Sequence, residues 1–355
     1  MTNRNINLDV IRIMAILLVF LAHASLTYHE NSLMQAVQFG GVGVDLFFIL
    51  SGWLIGSQIF KEIQTFGNLD LKRFWLRRWF RTMPAYFAVL GATFFQFYLF
   101  QKDIHSVFSY LTFTQNYFSD LPYFYVSWSL AVEEQFYIFI GVLLCVSAKI
   151  NKHIKTILLC LCLISPTLFR LLGWFEHPYE SHVRWDCCIA GVLLAQLKFE
   201  QTSFWHNVVV KLDRFILIAV GIFISFFVFR IFPPFSGYSD PSPLTLAFIF
   251  SFFIIYASNA SHEYNKYSKF VVMYISTRSY AIYLLHPEIL ALSQRINLDI
   301  NFALYLIVTL LITCLLSECL YRLIELPFMN IREKYTALCS RKKYQQKINT
   351  AQAIS

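Results

Sequence analysis

The chain has 355 residues, of which 57% are hydrophobic and only 14% are charged. An ordinary soluble domain carries about 25% charged residues, so this chain cannot cover itself with polar surface in water. The composition excludes a soluble globular protein and predicts that lipid is the solvent for much of the chain.

The sequence predicts an all-α, polytopic integral membrane protein with about ten transmembrane helices. A spanning helix needs about 20 mostly apolar residues. Two of the windows, 183–199 and 243–260, are short or have polar edges. No small-residue cleavage site closes the first window, so we expect no cleaved signal. The ten windows are 8–28, 40–60, 82–101, 126–148, 154–174, 183–199, 214–233, 243–260, 270–292 and 302–326.

The net charge of +8 follows this topology. Short cytoplasmic loops collect Lys and Arg. With the N-terminus inside, most of the 29 basic residues fall in predicted cytoplasmic loops or in the tail. We therefore expect an even number of spans with both termini cytoplasmic, and the basic excess does not indicate nucleic-acid binding. The predicted domains are a transmembrane domain over 1–331 and a basic cytoplasmic tail over 332–355.

The eight cysteines indicate neither disulfides nor a zinc site. They lie in predicted spans or in the cytoplasmic tail, away from outer loops where a disulfide would form. None has zinc-ligand spacing with a histidine. The sequence therefore predicts no metal site.

Span 1 contains an arginine and a histidine on one face. Arg12 and His23 are 11 residues apart, which is nearly three helical turns and about 16 Å along the axis. Ionisable side chains inside a span are costly and face a protein interior or a watery cavity. A snorkelling arginine and a histidine bonded to a neighbouring helix would explain either residue alone. The aligned pair favours a functional interpretation.

Span 2 begins GGVGVDLFFILSGWLIG and holds one acid at membrane depth. Its glycines permit close helix contact or a broken helix, and packing explains them as well as function does. Asp45 needs a partner there, and a carboxylate can hold a histidine in one tautomer. Asp45 is therefore a candidate catalytic residue.

An arginine cluster precedes span 3, in KRFWLRRWFRTMPAY. Arg77 and Arg81 are four residues apart, and Arg78 and Arg81 are three apart, so all three can share one helix face. Arginine forks fit phosphate oxygens, which predicts a phosphate clamp. The alternative is anchoring at the cytoplasmic surface with a belt of Trp and Tyr.

The segment FYVSWSLAVEEQFY enters span 4 from the outside with two adjacent carboxylates. Ser129 and Glu133 share a face, whereas Glu134 points about 100° away, so we expect one acid to enter a given cavity. Two acids inside a span are hard to explain by packing. Glu133 and Glu134 are candidate catalytic residues, and Trp128 and Ser129 are candidate substrate-binding residues.

Three further sites carry weaker signals. Arg184 and Asp186 could form an ion pair at the membrane boundary. His286, beside Pro287 at the outer end of span 9, suits a helix cap or an interfacial role as well as a catalytic one. Glu325, at the cytoplasmic end of span 10, suits a salt bridge.

Together these motifs resemble the membrane-bound acyltransferase 3 family, which includes O-acetyltransferases of O-antigen and other surface polysaccharides. Two departures are mild: Trp53 replaces the usual Phe after Ser-Gly, and Leu326 stands where Arg is common. No extracytoplasmic esterase-like domain follows span 10, so we expect a member of the single-domain type. The matching segments, in family order over about residues 6 to 328, are LDVIRIMAILLVFLAH, GGVGVDLFFILSGWLI, RRWFRTMPAY, SWSLAVEEQFY, RWDCCIAGVLLA, SYAIYLLHPEI and IELP.

The resemblance implies a ten-helix core, an acyl-CoA donor on the cytoplasmic side and an acceptor hydroxyl, often on a sugar, reached from the outer side. The family's Arg-to-His pair falls on Arg12 and His23, and its Arg-x-x-Arg falls on Arg78 and Arg81. Its Trp-Ser-Leu…Glu-Glu block falls on Trp128 to Glu134. Acyl-CoA is a donor substrate, so no bound cofactor is implied. The implied location is the bacterial cytoplasmic (inner) membrane.

The residues fit this chemistry independently. A thioester is already activated, so transfer to a hydroxyl needs a positioned base and an oxyanion stabiliser but no metal. His23 is the expected base. The CoA phosphates would be held by the arginines, Arg12, Arg77, Arg78 and Arg81. The acceptor hydroxyl or the histidine would be bonded by one of the acids, Asp45, Glu133 or Glu134.

We predict a membrane O-acyltransferase that moves an acyl group, most often acetyl in this family, to a cell-surface carbohydrate such as O-antigen or another polysaccharide. The expected partners are acyl-CoA, a carbohydrate acceptor and the lipid bilayer. The alternative is a proton-coupled transporter or permease for polysaccharide units or small acids, because buried Arg, His and Glu also occur in carriers. Transporters often show two related halves, and this sequence shows no such repeat.

Overall fold

A computed structural model describes residues 4–27, 32–99, 107–118, 121, 124–231, 241–296 and 300–335. Within these ranges every regular element is helical and there is no strand, which confirms the all-α class. Most of the predicted tail after residue 331 lies outside the described residues. The helices are α1 (Ile6–Thr27), α2 (Ser32–Gln38), α3 (Gly43–Phe66), α4 (Leu71–Leu99), α5 (Val107–Leu111), α6 (Ser127–Val146), α7 (Lys152–Leu171), α8 (Asp186–Glu200), α9 (Thr202–Asn207), α10 (Ile216–Ile231), α11 (Pro243–Asn259), α12 (Lys266–Ile296), α13 (Phe302–Leu320) and, after a π-helical turn, α14 (326–335).

Each of the ten apolar windows coincides with one helix: α1, α3, α4, α6, α7, α8, α10, α11, α12 and α13. Among the described residues, six helical segments are long and apolar enough to cross a membrane. Of the other windows, α4 and α12 are longer but less apolar, while α8 and α11 have 15 and 17 residues. The chain therefore has several membrane-spanning helices, and the count of ten stays a prediction.

The bundle has a buried centre and an apolar outer surface. In the segment Ala36–Phe66, which contains α3, 78% of the spanning window is buried, against 11% for Thr202–Ile231, which contains α10. Outward-facing side chains on the peripheral helices are large and apolar; Leu171 and Leu217 are 80% and 79% exposed. Contact between such an apolar surface and lipid chains is favourable, whereas its exposure to water would be unfavourable.

Glycines bring α3 against α8. A Cβ at Gly52 would lie 1.9 Å from the carbonyl oxygen of Cys188, and a Cβ at Gly191 would lie 2.2 Å from that of Ile49. Neither position tolerates a side chain, because the obstructing atoms belong to backbone. The close-contact reading of the span 2 glycines is confirmed at Gly52.

Contacts at two levels show that α1 and α12 run parallel. At one level Arg12 donates a hydrogen bond of 3.0 Å to the Ser276 hydroxyl, and at the other the rings of His23 and His286 are bonded at 2.7 Å. Because both helices run in the same direction, a chain that crosses the bilayer in each of them must cross it an odd number of times in between.

The short helix α8 runs antiparallel to the full-length helix α7. Lys155 near the start of α7 pairs with Glu200 at the end of α8 at 2.5 Å. Arg170 near the end of α7 pairs with Asp186 at the start of α8 at 2.8 Å. The two ion pairs hold α8 alongside nearly the whole length of α7.

Candidate active site

A cavity of about 110 Å³ lies between α1, α3, α4, α6 and α12. Three guanidinium groups, one carboxylate and several hydroxyl groups line it. A cavity of this size holds several water molecules. We call it the arginine cavity and define it by Arg12, Arg78, Arg81, Glu133, Ser51 and Tyr137.

The positive charge of this cavity is poorly compensated. Arg12 donates to the Asp9 carboxylate and to the Ser276 hydroxyl, both at 3.0 Å. Within the described parts of the chain, Arg78 and Arg81 form no ion pair within 4.0 Å. Clustered buried cations without matched anions are costly, so an anionic ligand would find a prepared site here.

The arginines of α4 do not all point the same way. Arg78 and Arg81 line the cavity, and the Arg78 guanidinium lies 4.6 Å from the centre of the Tyr137 ring. Arg77 is exposed and is not among the cavity residues. The sequence predicts that Arg77, Arg78 and Arg81 can share one face of α4, and the structure corrects this expectation. The face of α4 that lines the cavity contains Arg78 and Arg81, and Arg77 lies outside it.

The two adjacent acids of α6 separate, as their 100° offset predicts. Glu133 lines the arginine cavity, where the Ser51 and Tyr137 hydroxyls and the Arg78 charge act on its carboxylate. Glu134 is buried outside that cavity. Its Oε1 accepts a 2.9 Å hydrogen bond from the Thr82 hydroxyl, and its Oε2 has no hydrogen-bond partner among the described residues.

Trp128 and Ser129 also take different environments. Ser129 lines the arginine cavity, and its hydroxyl bonds the Tyr283 hydroxyl at 2.5 Å. Trp128 does not line the cavity; the Arg184 guanidinium lies 5.3 Å from its ring centre. Of these two residues, only Ser129 lines the cavity together with Arg78 and Arg81 of α4.

His23 lies beside the arginine cavity and not in its wall. Its Nδ1 is 2.7 Å from Nε2 of His286, which is completely buried. The edge of the Tyr125 ring approaches the imidazole, with ring centres 5.3 Å apart. The structure thus gives the proposed base a histidine partner that the sequence interpretation did not assign.

A pattern in the sequence of α12 could have indicated His286 as this partner. Ser276, Ser279, Tyr283 and His286 follow one another at spacings of three, four and three residues, so they share one helix face. That polar face packs against α1, where the Ser276 and His286 contacts were described above. The periodicity was visible in the sequence, but the helix it faces was not.

Tyr283 connects the two parts of the site. It lines the arginine cavity, and its ring centre is 5.7 Å from that of His286. Its hydroxyl also donates to the Val126 carbonyl at 3.1 Å. The histidine pair therefore adjoins the cavity at Tyr283, one of its lining residues.

Asp45 has a different partner from the one expected. Its carboxylate accepts hydrogen bonds of 3.0 and 3.2 Å from Arg184, and no contact joins it to His23 among the described residues. The expected pair of Arg184 with Asp186 is also corrected, because Asp186 binds Arg170 at 2.8 Å. The tight packing of α3 on α8 brings Asp45 opposite Arg184, and α7 supplies the cation for Asp186.

Glu325 does not form the expected salt bridge. It is buried in the π-helical turn after α13, and its Oε1 has no hydrogen-bond partner among the described residues. The charges that act on it most strongly belong to Arg81 and Arg278.

Within the described chain, no group of three or more His, Cys, Asp or Glu side chains could hold a metal ion.

Comparison with known proteins gives consistent matches over most of the chain. The peptidoglycan O-acetyltransferase OatA of Listeria monocytogenes is 28% identical over 363 residues, which cover 90% of this chain and 55% of OatA. YrhL of Bacillus subtilis, provisionally named a peptidoglycan O-acetyltransferase, is 29% identical over 352 residues, which cover 90% of this chain and 54% of YrhL. A Staphylococcus aureus protein provisionally named an O-acetyltransferase is 28% identical over 375 residues, covering 95% of this chain and 59% of its own.

The chain spans about half the length of the curated relatives it matches. No solved structure matches it. The sequence model of the acyltransferase 3 family, described as an acyltransferase domain, matches residues 5–322. Because this match covers nearly the whole chain, the protein belongs to the acyltransferase 3 family.

Proposed function

We propose that this chain is an O-acetyltransferase of the bacterial cytoplasmic membrane that moves an acetyl group from acetyl-CoA to a hydroxyl of a cell-surface carbohydrate. The observation that carries the proposal is the arginine cavity with the histidine pair at its Tyr283 end. Among surface polymers, the names of OatA and YrhL favour peptidoglycan over O-antigen as the acceptor. Family membership disfavours the transporter alternative.

The cavity has the chemistry that coenzyme A requires. Coenzyme A carries several phosphates, and arginine forks match phosphate oxygens better than any other side chain does. Arg78 and Arg81 lack ion-pair partners among the described residues, so their donors are available to such a ligand. Arg12 would add a third cation from the opposite helix. Exposed Arg77 would contribute only a long-range attraction.

We further propose ten crossings with both termini in the cytoplasm. The parallel α1 and α12 and the antiparallel α7 and α8 support this topology, since seven helices that alternate in direction would join α1 to α12. In this orientation Arg12 lies toward the cytoplasm and His23 lies in the outer half. A donor from inside would then meet an acceptor from outside near Tyr283.

The transfer itself needs few groups. His23 takes the proton from the acceptor hydroxyl as that oxygen attacks the thioester carbonyl carbon. The carbon–sulfur bond then breaks, and the CoA thiolate leaves and takes up the proton from the imidazolium. Glu133 would bind acceptor hydroxyls from the cavity wall. Asp45, paired with Arg184, would hold the outer ends of α3 and α8 in place.

Replacing His23 tests this function. His23→Ala should remain folded and still bind acetyl-CoA, but its transfer rate should fall by about 100-fold or more because a positioned base contributes that much. The assay is label transfer from radiolabelled acetyl-CoA to peptidoglycan or polysaccharide by purified protein. His153→Ala, at an exposed position, is the matched control. Full transfer by His23→Ala would reject the mechanism.

A further inference from the structure

We propose that His286 is a positioning residue that holds His23 in the tautomer whose Nε2 can accept a proton. The inference rests on the proposed function, in which His23 is the base, and adds a second histidine that sets the direction of that base. The observations that carry it are the geometry of the two rings and the hydrogen bonds on both nitrogens of His286.

The two imidazoles meet edge to edge in a common plane. Their planes differ by 4° and their centroids are 5.0 Å apart, while His23 Nδ1 and His286 Nε2 are 2.7 Å apart. The centroid separation equals the N–N distance plus the short distance from each nitrogen to its own ring centre. The two nitrogens therefore lie on the line between the centroids, so the N–H of one ring points along the lone pair of the other.

The second nitrogen of His286 fixes where the proton lies. Nδ1 of His286 is 3.1 Å from the carbonyl oxygen of Ile282. A carbonyl can only accept, so His286 Nδ1 must carry the hydrogen, and in a neutral ring Nε2 then holds a lone pair. His23 must donate from its own Nδ1, which leaves His23 Nε2 with the lone pair. The opposite arrangement would set two lone pairs face to face in a buried site.

The local sequence favours this arrangement. Pro287 has no backbone N–H, so the Tyr283 carbonyl receives no helical hydrogen bond from it and the ring crowds that turn. The Tyr283 carbonyl, next to the Ile282 carbonyl that His286 Nδ1 contacts, is thereby left without its helical donor. Phe20 and Tyr283 enclose the imidazole, with ring centres 6.2 and 5.7 Å away. His286 is fully buried with both nitrogens satisfied, so it is not placed to exchange protons with solvent.

A neutral orienting group suits a base inside a membrane. When His23 Nε2 takes the acceptor proton, the bond from His23 Nδ1 to His286 Nε2 becomes charge-assisted, and such bonds are roughly twice as strong as neutral ones. His286 thus stabilises the imidazolium without bringing a permanent charge. A carboxylate in the same position would have to be buried as an ion before each turnover.

Two substitutions at His286 separate its hydrogen-bond role from packing. In His286→Gln the amide oxygen can take the place of Nε2 and accept from His23, whereas His286→Leu offers no acceptor. We expect His286→Leu to lower kcat about 10- to 100-fold, which is less than the loss of about 100-fold or more expected when the base itself is removed, and to leave the KM for acetyl-CoA within about twofold. His286→Gln should recover kcat to within about fivefold of the wild type. His153→Gln is the matched control at an exposed histidine.

A measurement on the unaltered protein does not depend on variant folding. In ¹⁵N-histidine-labelled protein, His23, assigned by the signals lost in His23→Ala, should carry its hydrogen on Nδ1. Any of three results overturns the proposal: hydrogen on Nε2 of His23, kcat of His286→Leu within twofold of wild type, or equal losses in the Leu and Gln variants. If the wild-type protein transfers no label from acetyl-CoA to either acceptor, the proposed function itself fails. If His23→Ala retains full transfer, the assignment of His23 as the base fails. If His23→Ala is inactive while one of the three results is found, the positioning role alone fails.

Discussion

Buried charges occur in two regions of this molecule, and the two regions treat them differently. Where α3 and α8 begin, Asp45 and Arg184 form a closed pair with hydrogen bonds of 3.0 and 3.2 Å. In the arginine cavity, Arg78 and Arg81 have no such partner among the described residues, and Glu133 is the carboxylate that shares the cavity with them. The charges of Asp45 and Arg184 compensate each other, so this pair needs no ligand. In the cavity, the proposed acetyl-CoA would supply the missing negative charge.

The largest expected effect is in the arginine cavity, where Arg78 and Arg81 have no ion-pair partner among the described residues. Arg78→Ala with Arg81→Ala should weaken acetyl-CoA binding about 100-fold or more, because each charge-assisted hydrogen bond contributes about 1.5–3 kcal/mol. Isothermal titration with the purified protein measures this affinity. Lys72→Ala, an exposed cation on the same helix, is the control and should bind acetyl-CoA normally.

The same titration with acetyl-dephospho-CoA sharpens the comparison. If the arginines hold the 3′-phosphate, the loss caused by the double substitution should be smaller for the donor that lacks this phosphate, as in a double-mutant cycle. An unchanged acetyl-CoA affinity in the double variant would contradict the clamp.

The second prediction concerns the closed pair. Asp45→Ala leaves the guanidinium of Arg184, whose side chain is 18% exposed, without its carboxylate. Breaking a fully buried pair in this way costs about 3 to 5 kcal/mol, and the partial exposure of Arg184 places the expected loss toward the lower end. We expect a lower midpoint of thermal unfolding in detergent, with acetyl-CoA affinity retained by the protein that stays folded. Asp45→Ala combined with Arg184→Ala should recover part of the loss, and exposed Glu263→Ala should leave the midpoint unchanged. A fully stable but inactive Asp45→Ala would return Asp45 to the catalytic group.

The smallest expected effect is at Arg77. This arginine is exposed and outside the cavity, so its substitution by Ala should weaken acetyl-CoA binding by less than about fivefold, in line with exposed charge interactions. The same titration measures it. A loss as large as that of the Arg78 and Arg81 double variant would mean that the three arginines act as one face after all.

Helical periodicity in the sequence predicted which residues of this site share a helix face. It could not predict which helices contact each other. The shared face of Arg78 and Arg81, and the separation of Glu133 from Glu134 by about 100°, follow from 3.6 residues per turn. The same periodicity also places Arg77 and Arg81, four residues apart, next to each other on the helix surface. Only the packing of α4 against α6 and α12 decides which of the two faces inward.

Partners across the bundle were misassigned for the same reason. Asp45 was expected to orient a histidine, yet it binds Arg184, because α3 and α8 approach through Gly52 and Gly191 to backbone contact. For His286 the sequence leaves a cap, an interfacial role and a catalytic role open, and it indicates no partner. Its bond to His23 joins positions 263 residues apart, and no local pattern encodes such a pairing.

The position of α12 in the chain has a consequence for biogenesis. This one late helix supplies Ser276 to Arg12, Tyr283 to Ser129 and His286 to His23. A growing chain that has inserted every earlier helix still lacks all three contacts, so the groups that we propose to act on the thioester would be unsupported during synthesis. Acyl-transfer competence should therefore arise abruptly, when α12 docks against α1, and a nascent or truncated bundle would not consume acyl-CoA prematurely.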